Sequence, residues 1–297
     1  MSIQKALDHA IMLQETESQP NTQAGYCIGD RVYTNYLSNA CWETFKLRMQ
    51  NDNPVAYEMY THGGGKELEE RKSGRYTYPP KMASFGSSSR MIYNLMKATP
   101  RFLFEKKLPT TIGGTANLDG FIETEQKCIF VEAKCREPYA ETQNAIADKY
   151  RSLYEAITNS ANNNLTCDIG DMAAGKMQVR FLCDETHIQN FDIKQMICHL
   201  LGIATAYLQG KYEKPIDFIY LLYNPTGLVI EDGARQRAIN DIYLLERNEG
   251  QKIDFDGLFY DILVYLQTHC RLGADMDIAK IAAGFSFRIC DQHTMCI

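Results

Sequence analysis

No run of about 18 consecutive apolar residues occurs in the chain, which excludes a helix of ordinary membrane-spanning composition. The N-terminal stretch MSIQKALDHAIMLQETES interrupts its apolar positions with Lys5, Asp8 and His9. It lacks a signal-peptide core and reads as an amphipathic helix, so a cytoplasmic protein with no membrane partner is expected. No Cys-x-x-Cys is present, and the 10 cysteines are scattered. Several, such as Cys128, Cys183 and Cys198, sit in apolar runs, where a free thiol behaves as a small hydrophobe. The nearest metal-like spacings, Cys183 with His187 and His293 with Cys296, lack a matching second pair, so zinc is not expected. There is no excess of positive charge: 31 Lys and Arg stand against 37 Asp and Glu, a net −6. That argues against a dedicated, strongly basic nucleic-acid binder. It leaves room for an enzyme with acidic metal ligands whose phosphate contacts come from local basic loops. The glycine-rich GGGKEL is not a phosphate-binding P-loop, since the Gly-x-x-x-x-Gly-Lys-Ser/Thr spacing is missing. Gly-x-Ser-x-Gly, an EF-hand loop and internal repeats are also absent.

What is present is ordinary globular composition, 45% apolar and 23% charged over 297 residues, enough for one large domain or two small ones. Residues 2 to 14 and 31 to 50 carry helical patterns, the second holding the sole tryptophan, Trp42. Residues 61 to 84 form the most loop-like part. Its Lys66, Arg71, Lys72, Arg75 and Lys81 could track a phosphate backbone, with Tyr76 and Tyr78 stacking; alternatively it is a solvated surface loop diluted by Glu67, Glu69 and Glu70. Ser87 to Ser89 cap a helix running to Met96, and Pro100 stops it.

The stretch from 101 to 139 organises the rest. RFLFEKKL, ANLDGFIE and CIFVEAKC read as three strands, the last two forming a hairpin across Thr124 to Lys127. In that register Glu123 pairs with Cys128 and Asp119 lies opposite Glu132. Alternation then puts Asp119, Phe121 and Glu123 on one face with Phe130, Glu132 and Lys134, and Leu118 and Ile122 on the other with Ile129, Val131 and Ala133. Like charges placed directly opposite destabilise a sheet, so the Asp119–Glu132 pair calls for a cation. The bland alternative is a solvated face with a Glu132–Lys134 pair.

Downstream, residues 138 to 157 read as a long helix, 159 to 175 as a polar link and MQVRFLC as a strand. FDIKQMICHLLGIATAYLQG is an amphipathic helix with Asp192 as N-cap, and IDFIYLLYN is a buried strand. Three helical stretches follow, beginning near Ala234, Asp254 and Asp275. His199 reads as a packed histidine rather than a base.

Asp119 followed by Glu132-Ala133-Lys134 on the next apolar strand resembles the PD-(D/E)XK nuclease superfamily, the restriction-endonuclease-like fold. With SSSRMIYNLM and Phe104-Glu105 ahead of it, the stretch resembles uncharacterised bacterial restriction-endonuclease-like proteins over roughly residues 85 to 225. The proline that usually precedes the aspartate is absent here, where Asn117-Leu118-Asp119 stands. The resemblance implies an α/β (α+β, mixed-sheet) core of helix, three antiparallel strands, helix and a fourth strand, MQVRFLC. Residues 1–84 would be a helical extension with a basic loop, 85–225 the nuclease core and 226–297 a C-terminal helical extension. It implies a metal-dependent deoxyribonuclease, endonuclease rather than exonuclease, in a restriction or defence role. Asp119, Glu132, the Ala133 carbonyl and Glu105 would hold Mg²⁺, with Mn²⁺ as substitute. Lys134 and Gln195 would act beside them. On the residues alone Glu105 could instead be an edge-strand acid paired with Lys106 or Lys107, and Gln195 a solvated side chain. DNA is the implied partner; a homodimer would serve to cut both strands, though no dimer motif is readable. A catalytically silent or partner-dependent nucleic-acid-binding protein of the same fold is the alternative, and a small-molecule phosphohydrolase ranks last.

Overall fold

The structure, a computed structural model, describes residues 2–63, 67–139, 145–172, 175–295 and 297. Its centre is a five-stranded mixed sheet in the spatial order Phe285–Cys290, Ile216–Leu222, Cys128–Lys134, Thr115–Glu123, Leu103–Pro109. The last three are antiparallel to one another. Ile216–Leu222 runs parallel to both of its neighbours. All residues of Cys128–Lys134 and Ile216–Leu222 are buried. That is what a central strand covered on both faces requires.

The sheet separates two apolar cores. Ile129, Val131, Ala133, Ile219 and Leu221 face the Ser88–Met96 helix and the N-terminal elements, packing with Leu7, Trp42 and Ile92. Cys128, Phe130, Phe218 and Tyr220 face the Ile193–Leu208 and Phe255–His269 helices, packing with Met196, Leu200 and Phe259. The Ser88–Met96 helix is capped by Ser87 Oγ, which accepts from Arg90 N at 3.3 Å. The Ile193–Leu208 helix is capped by Asp192, which accepts from Gln195 N at 3.0 Å. This second helix is the crossover that parallel pairing of Cys128–Lys134 with Ile216–Leu222 demands. It seats tightly because Gly202 has no side chain: a Cβ there would lie 2.6 Å from Ala116 Cβ and 3.1 Å from Leu108 Cβ.

Several sequence expectations are corrected. MQVRFLC lies in Lys176–Cys183, which pairs with Leu165–Met172 and Ala145–Ala147 in a separate small sheet, so the strand beside Cys128–Lys134 is Ile216–Leu222 instead. Its alternating burial marks a sheet covered on one face, whereas IDFIYLL is buried throughout. The helix expected over 138 to 157 reduces to Arg151–Thr158. Residues 140–144 lie outside the described ones, and Ala145–Ala147 is drawn into the small sheet. The polar link contains the Leu165–Met172 strand. In the expected helix over 31 to 50, Arg31–Leu37 is a strand paired with Ala24–Ile28, and the helix begins only at Asn39 behind Ser38 as N-cap. The loop over 61 to 84 holds a short hairpin, Arg71–Ser73 with Tyr76–Tyr78, turning at Gly74 with φ 58°. Phe285–Cys290, unforeseen as a strand, closes one edge of the central sheet. Among the described residues no helix is long and apolar enough to cross a membrane.

Candidate active site

The hairpin register is the expected one, running from Glu123–Cys128 to Gly120–Val131. Among the described residues no backbone pair continues the ladder beyond Gly120–Val131, and Asp119 reaches across with its side chain, to the Ala133 amide. On its other side Asp119 lies between the pairs Phe104–Gly120 and Lys106–Leu118, opposite Glu105. Glu105, Asp119 and Glu132 all line one cleft. Glu105 has φ 54°, the left-handed region, in mid-strand. For a residue with a side chain this costs roughly 1–2 kcal/mol. Around this point the side-chain alternation breaks. Leu118 packs with Phe121 and Phe130, whereas Ile122 packs with Ile129, Val131 and Ala133. The expectation that Leu118 and Ile122 share a face is thus corrected.

Asp119 Oδ2 accepts from the Ala133 amide at 2.7 Å, which ties the two hairpin strands together at the acid pair. Lys134 Nζ stands 2.9 Å from Glu132 Oε1. Gln195, reaching in from the Ile193–Leu208 helix, links both: its Nε2 donates to Glu132 Oε1 at 2.7 Å, and its Oε1 accepts from Lys134 Nζ. His199, one helical turn on, places Nε2 3.0 Å from Glu132 Oε2, off the line of a well-formed hydrogen bond. Glu132, Lys134 and His199 are all buried. The group opens on a cleft of about 470 Å³, floored by Glu105, Asp119, Glu132 and Lys134. Glu67 and Lys81, 2.9 Å apart, form one wall.

The electrostatics sort the acids. Burial pushes the Glu132 carboxyl up, but Lys134 and His199 outweigh it and hold the group at about 2. Burial pulls Lys134 down, yet Glu132 and the more distant Glu137 and Asp192 raise it above the usual lysine range. Asp119 goes the other way: burial and the neighbouring Glu132 raise it well above the carboxylate range, against the Ala133 amide and Lys134. Glu105 is pushed up to about 7 by burial and by Glu67, with Lys81 and Lys107 opposing. A fixed anion at Glu132 thus sits beside a buried cation and favours the protonated form of Asp119.

A hard cation fits this donor set in kind. Asp119 and Glu132 offer carboxylate oxygens to one cleft, and Glu132 Oε2 is buried 3.0 Å from His199 Nε2 without a well-formed hydrogen bond. Among the described residues no group of three or more His, Cys, Asp and Glu side chains stands ready to hold an ion.

All five residues singled out in the sequence, Glu105, Asp119, Glu132, Lys134 and Gln195, line this cleft, as does Ala133. Of the basic residues between 61 and 84, Lys81 lines it; Arg71, Lys72 and Arg75 belong to the short hairpin or its turn, and Lys66 lies outside the described residues. The pairing of His293 with Cys296 also falls outside them, because Cys296 is not described. Two residues were missed. Glu67 was read as diluting a surface loop but is buried in the cleft wall, and no periodicity announces it. His199 was read as packed, which it is, but against Glu132; its spacing of four from Gln195 was the available signal. No protein-family model matches the chain, and neither a curated protein nor a solved structure matches it significantly.

Proposed function

We propose that this chain is a metal-dependent nuclease that hydrolyses phosphodiester bonds in DNA, as an endonuclease of the restriction-endonuclease-like kind acting in the cytoplasm. The observation that carries the reading is the convergence of Glu105, Asp119 and Glu132 on one cleft, with Lys134 and Gln195 locked onto Glu132. Asp119 and Glu132, with the Ala133 carbonyl and Glu105, would hold Mg²⁺ or Mn²⁺. The metal, when bound, lowers the pKa of a water and offsets charge building on the phosphate. Lys134 keeps its proton at Nζ and presents a fixed positive charge to the phosphoryl oxygens. Gln195 orients both Glu132 and Lys134 by its two amide bonds. Lys81 also lines the cleft, paired with Glu67 at 2.9 Å.

A second reading, a nucleic-acid-binding protein without catalysis, is favoured by one feature: Glu132 Oε1 is already engaged by Lys134 and Gln195. The two separate in one assay. Supercoiled plasmid is incubated with the purified chain and Mg²⁺ or Mn²⁺, with Asp119→Asn alongside. Asn at that position can still accept the Ala133 amide. Nicked or linear product from the wild type alone supports the nuclease. Plasmid shifted in a gel but uncut by either protein supports the silent binder. A homodimer would yield linear product directly, and sedimentation of the complex would register it.

A further inference from the structure

A second cavity of about 520 Å³ lies against the cleft and shares two lining residues with it, Asn117 and Gln195. Its lining differs in kind. Tyr150, Tyr154, Ile146 and Leu201 supply aromatic and apolar surface, Asn117 supplies a polar edge, and His199 lines the cavity with both ring nitrogens buried. Asn117 is exposed on the Thr115–Glu123 strand, and its amide carries no hydrogen bond among the described residues. His199 is 2% exposed, and its Nδ1 has no partner.

The Tyr150 ring is fixed rather than loose. Its hydroxyl donates to Gly113 O at 2.7 Å, and Lys149 Nζ lies 5.0 Å from the ring centroid while also donating to Gly113 O at 2.7 Å. The glycines of TTIGGT make this approach possible: at Gly114, φ 112°, a Cβ would lie 2.7 Å from the Tyr150 hydroxyl oxygen. A held aromatic beside a cation, next to an open amide, suits a nucleobase with its adjoining phosphate. A ring stacks on any base face, and an amide reads its edge.

We infer that this cavity receives the base of the nucleotide adjoining the scissile phosphate, so that the substrate is a strand whose bases are unpaired at the cut. The inference rests on the nuclease reading above. Gln195 is the wall between the compartments, so phosphate chemistry on one side and base binding on the other belong to one nucleotide unit. A paired base cannot enter, because it would have to leave its stack and its partner. Flaps, gaps, loops and single strands are therefore preferred to intact duplex. The chemistry is shared by DNA and RNA strands.

The test uses the full chain with Ca²⁺ in place of Mg²⁺, to permit binding without turnover. Single-stranded DNA oligonucleotides carry one 2-aminopurine, moved stepwise along the strand; matched duplex and RNA versions serve as arms. Expected is strong fluorescence quenching at one position, with binding to single strand tighter than to duplex. Tyr150→Ala weakens single-strand binding about tenfold, within the range for losing one base–aromatic stack. Cys198→Phe, which fills the cavity from the helix side, removes the quench while duplex binding stays as in the wild type. Circular dichroism melts of both variants check that they fold. Strand binding whose quench is unchanged in both folded variants overturns the cavity assignment alone. Equal affinity for duplex and single strand overturns it as well. Failure to bind any nucleic acid overturns the nuclease reading, and this inference with it. A tighter RNA arm supports the cavity and replaces DNA as the substrate.

Discussion

Gln195 Nε2 donates to Glu132 Oε1 at 2.7 Å across 63 residues of chain. The same amide accepts from Lys134 through its oxygen. One neutral side chain on a helix therefore fixes the anion and the cation of the hairpin at once. Replacing it with leucine, of similar length but without polar atoms, should lower cleavage by about 10²-fold or more, as expected when a positioning contact is lost. Single-turnover kinetics on plasmid would check this. A wild-type rate from Gln195→Leu would remove the residue from the site.

Lys134→Ala should cost stability as well as activity. Lys134 is buried against Glu132, so its removal leaves a buried anion without its ion pair. Breaking such a pair costs about 3–5 kcal/mol. The double variant Glu132→Gln with Lys134→Met removes both charges and should be less destabilised than Lys134→Ala alone. Urea unfolding of the single and double variants measures the coupling.

Glu132 gives stability a defined pH dependence. Its carboxyl is held at about 2, below its ordinary value of 4.5. A depressed carboxyl stabilises the fold above the unfolded value, and that contribution drains away as pH falls from about 4.5 towards 2. The thermal midpoint of the wild type should therefore fall over that window more steeply than that of Glu132→Gln.

Glu105 has the opposite sign. Its carboxyl is raised from 4.5 to about 7, so the fold favours the protonated form and loses stability as pH rises between those values. Glu105→Gln should melt higher than the wild type at pH 8, and the gain should vanish near pH 4.5. Equal melting temperatures at pH 8 would show that the carboxyl is not raised.

Adding Mg²⁺ or Mn²⁺ should raise the melting temperature of the wild type, because an ion that binds only the folded chain stabilises it by mass action. At a concentration of 100 times the dissociation constant the gain is about 2.7 kcal/mol. Asp119→Asn should lose most of this shift. A shift of equal size in that variant would place the ion elsewhere.

The hairpin was legible because its signal is local. Four polar residues, Thr124 to Lys127, set the register, which holds from Glu123–Cys128 to Gly120–Val131. Asp192 and the apolar stripe from Ile193 likewise announced the helix that carries Gln195. Assigning MQVRFLC to the central sheet failed because an alternating strand and a fully buried one both satisfy β-propensity. Only the uninterrupted burial of IDFIYLL distinguishes the partner of a parallel pair. The helical reading of 138 to 157 failed because pairing of Ala145–Ala147 with Lys176–Gln178 is a tertiary contact that propensity does not see. The left-handed turn at Glu105 has no sequence mark, since glutamate carries none of glycine's freedom.

The crossover that brings the Ile193–Leu208 helix onto the sheet sets an order of assembly. The strands Leu103–Pro109, Thr115–Glu123 and Cys128–Lys134 are contiguous in the chain and joined by short turns, so both acids and the lysine can come together early. Gln195 arrives only when a long segment has closed and the parallel pairing with Ile216–Leu222 has formed. A nascent or partly unfolded chain would hold its charged trio exposed and unaligned. Under the nuclease reading, alignment of that trio would depend on the long-range docking of the helix that carries Gln195.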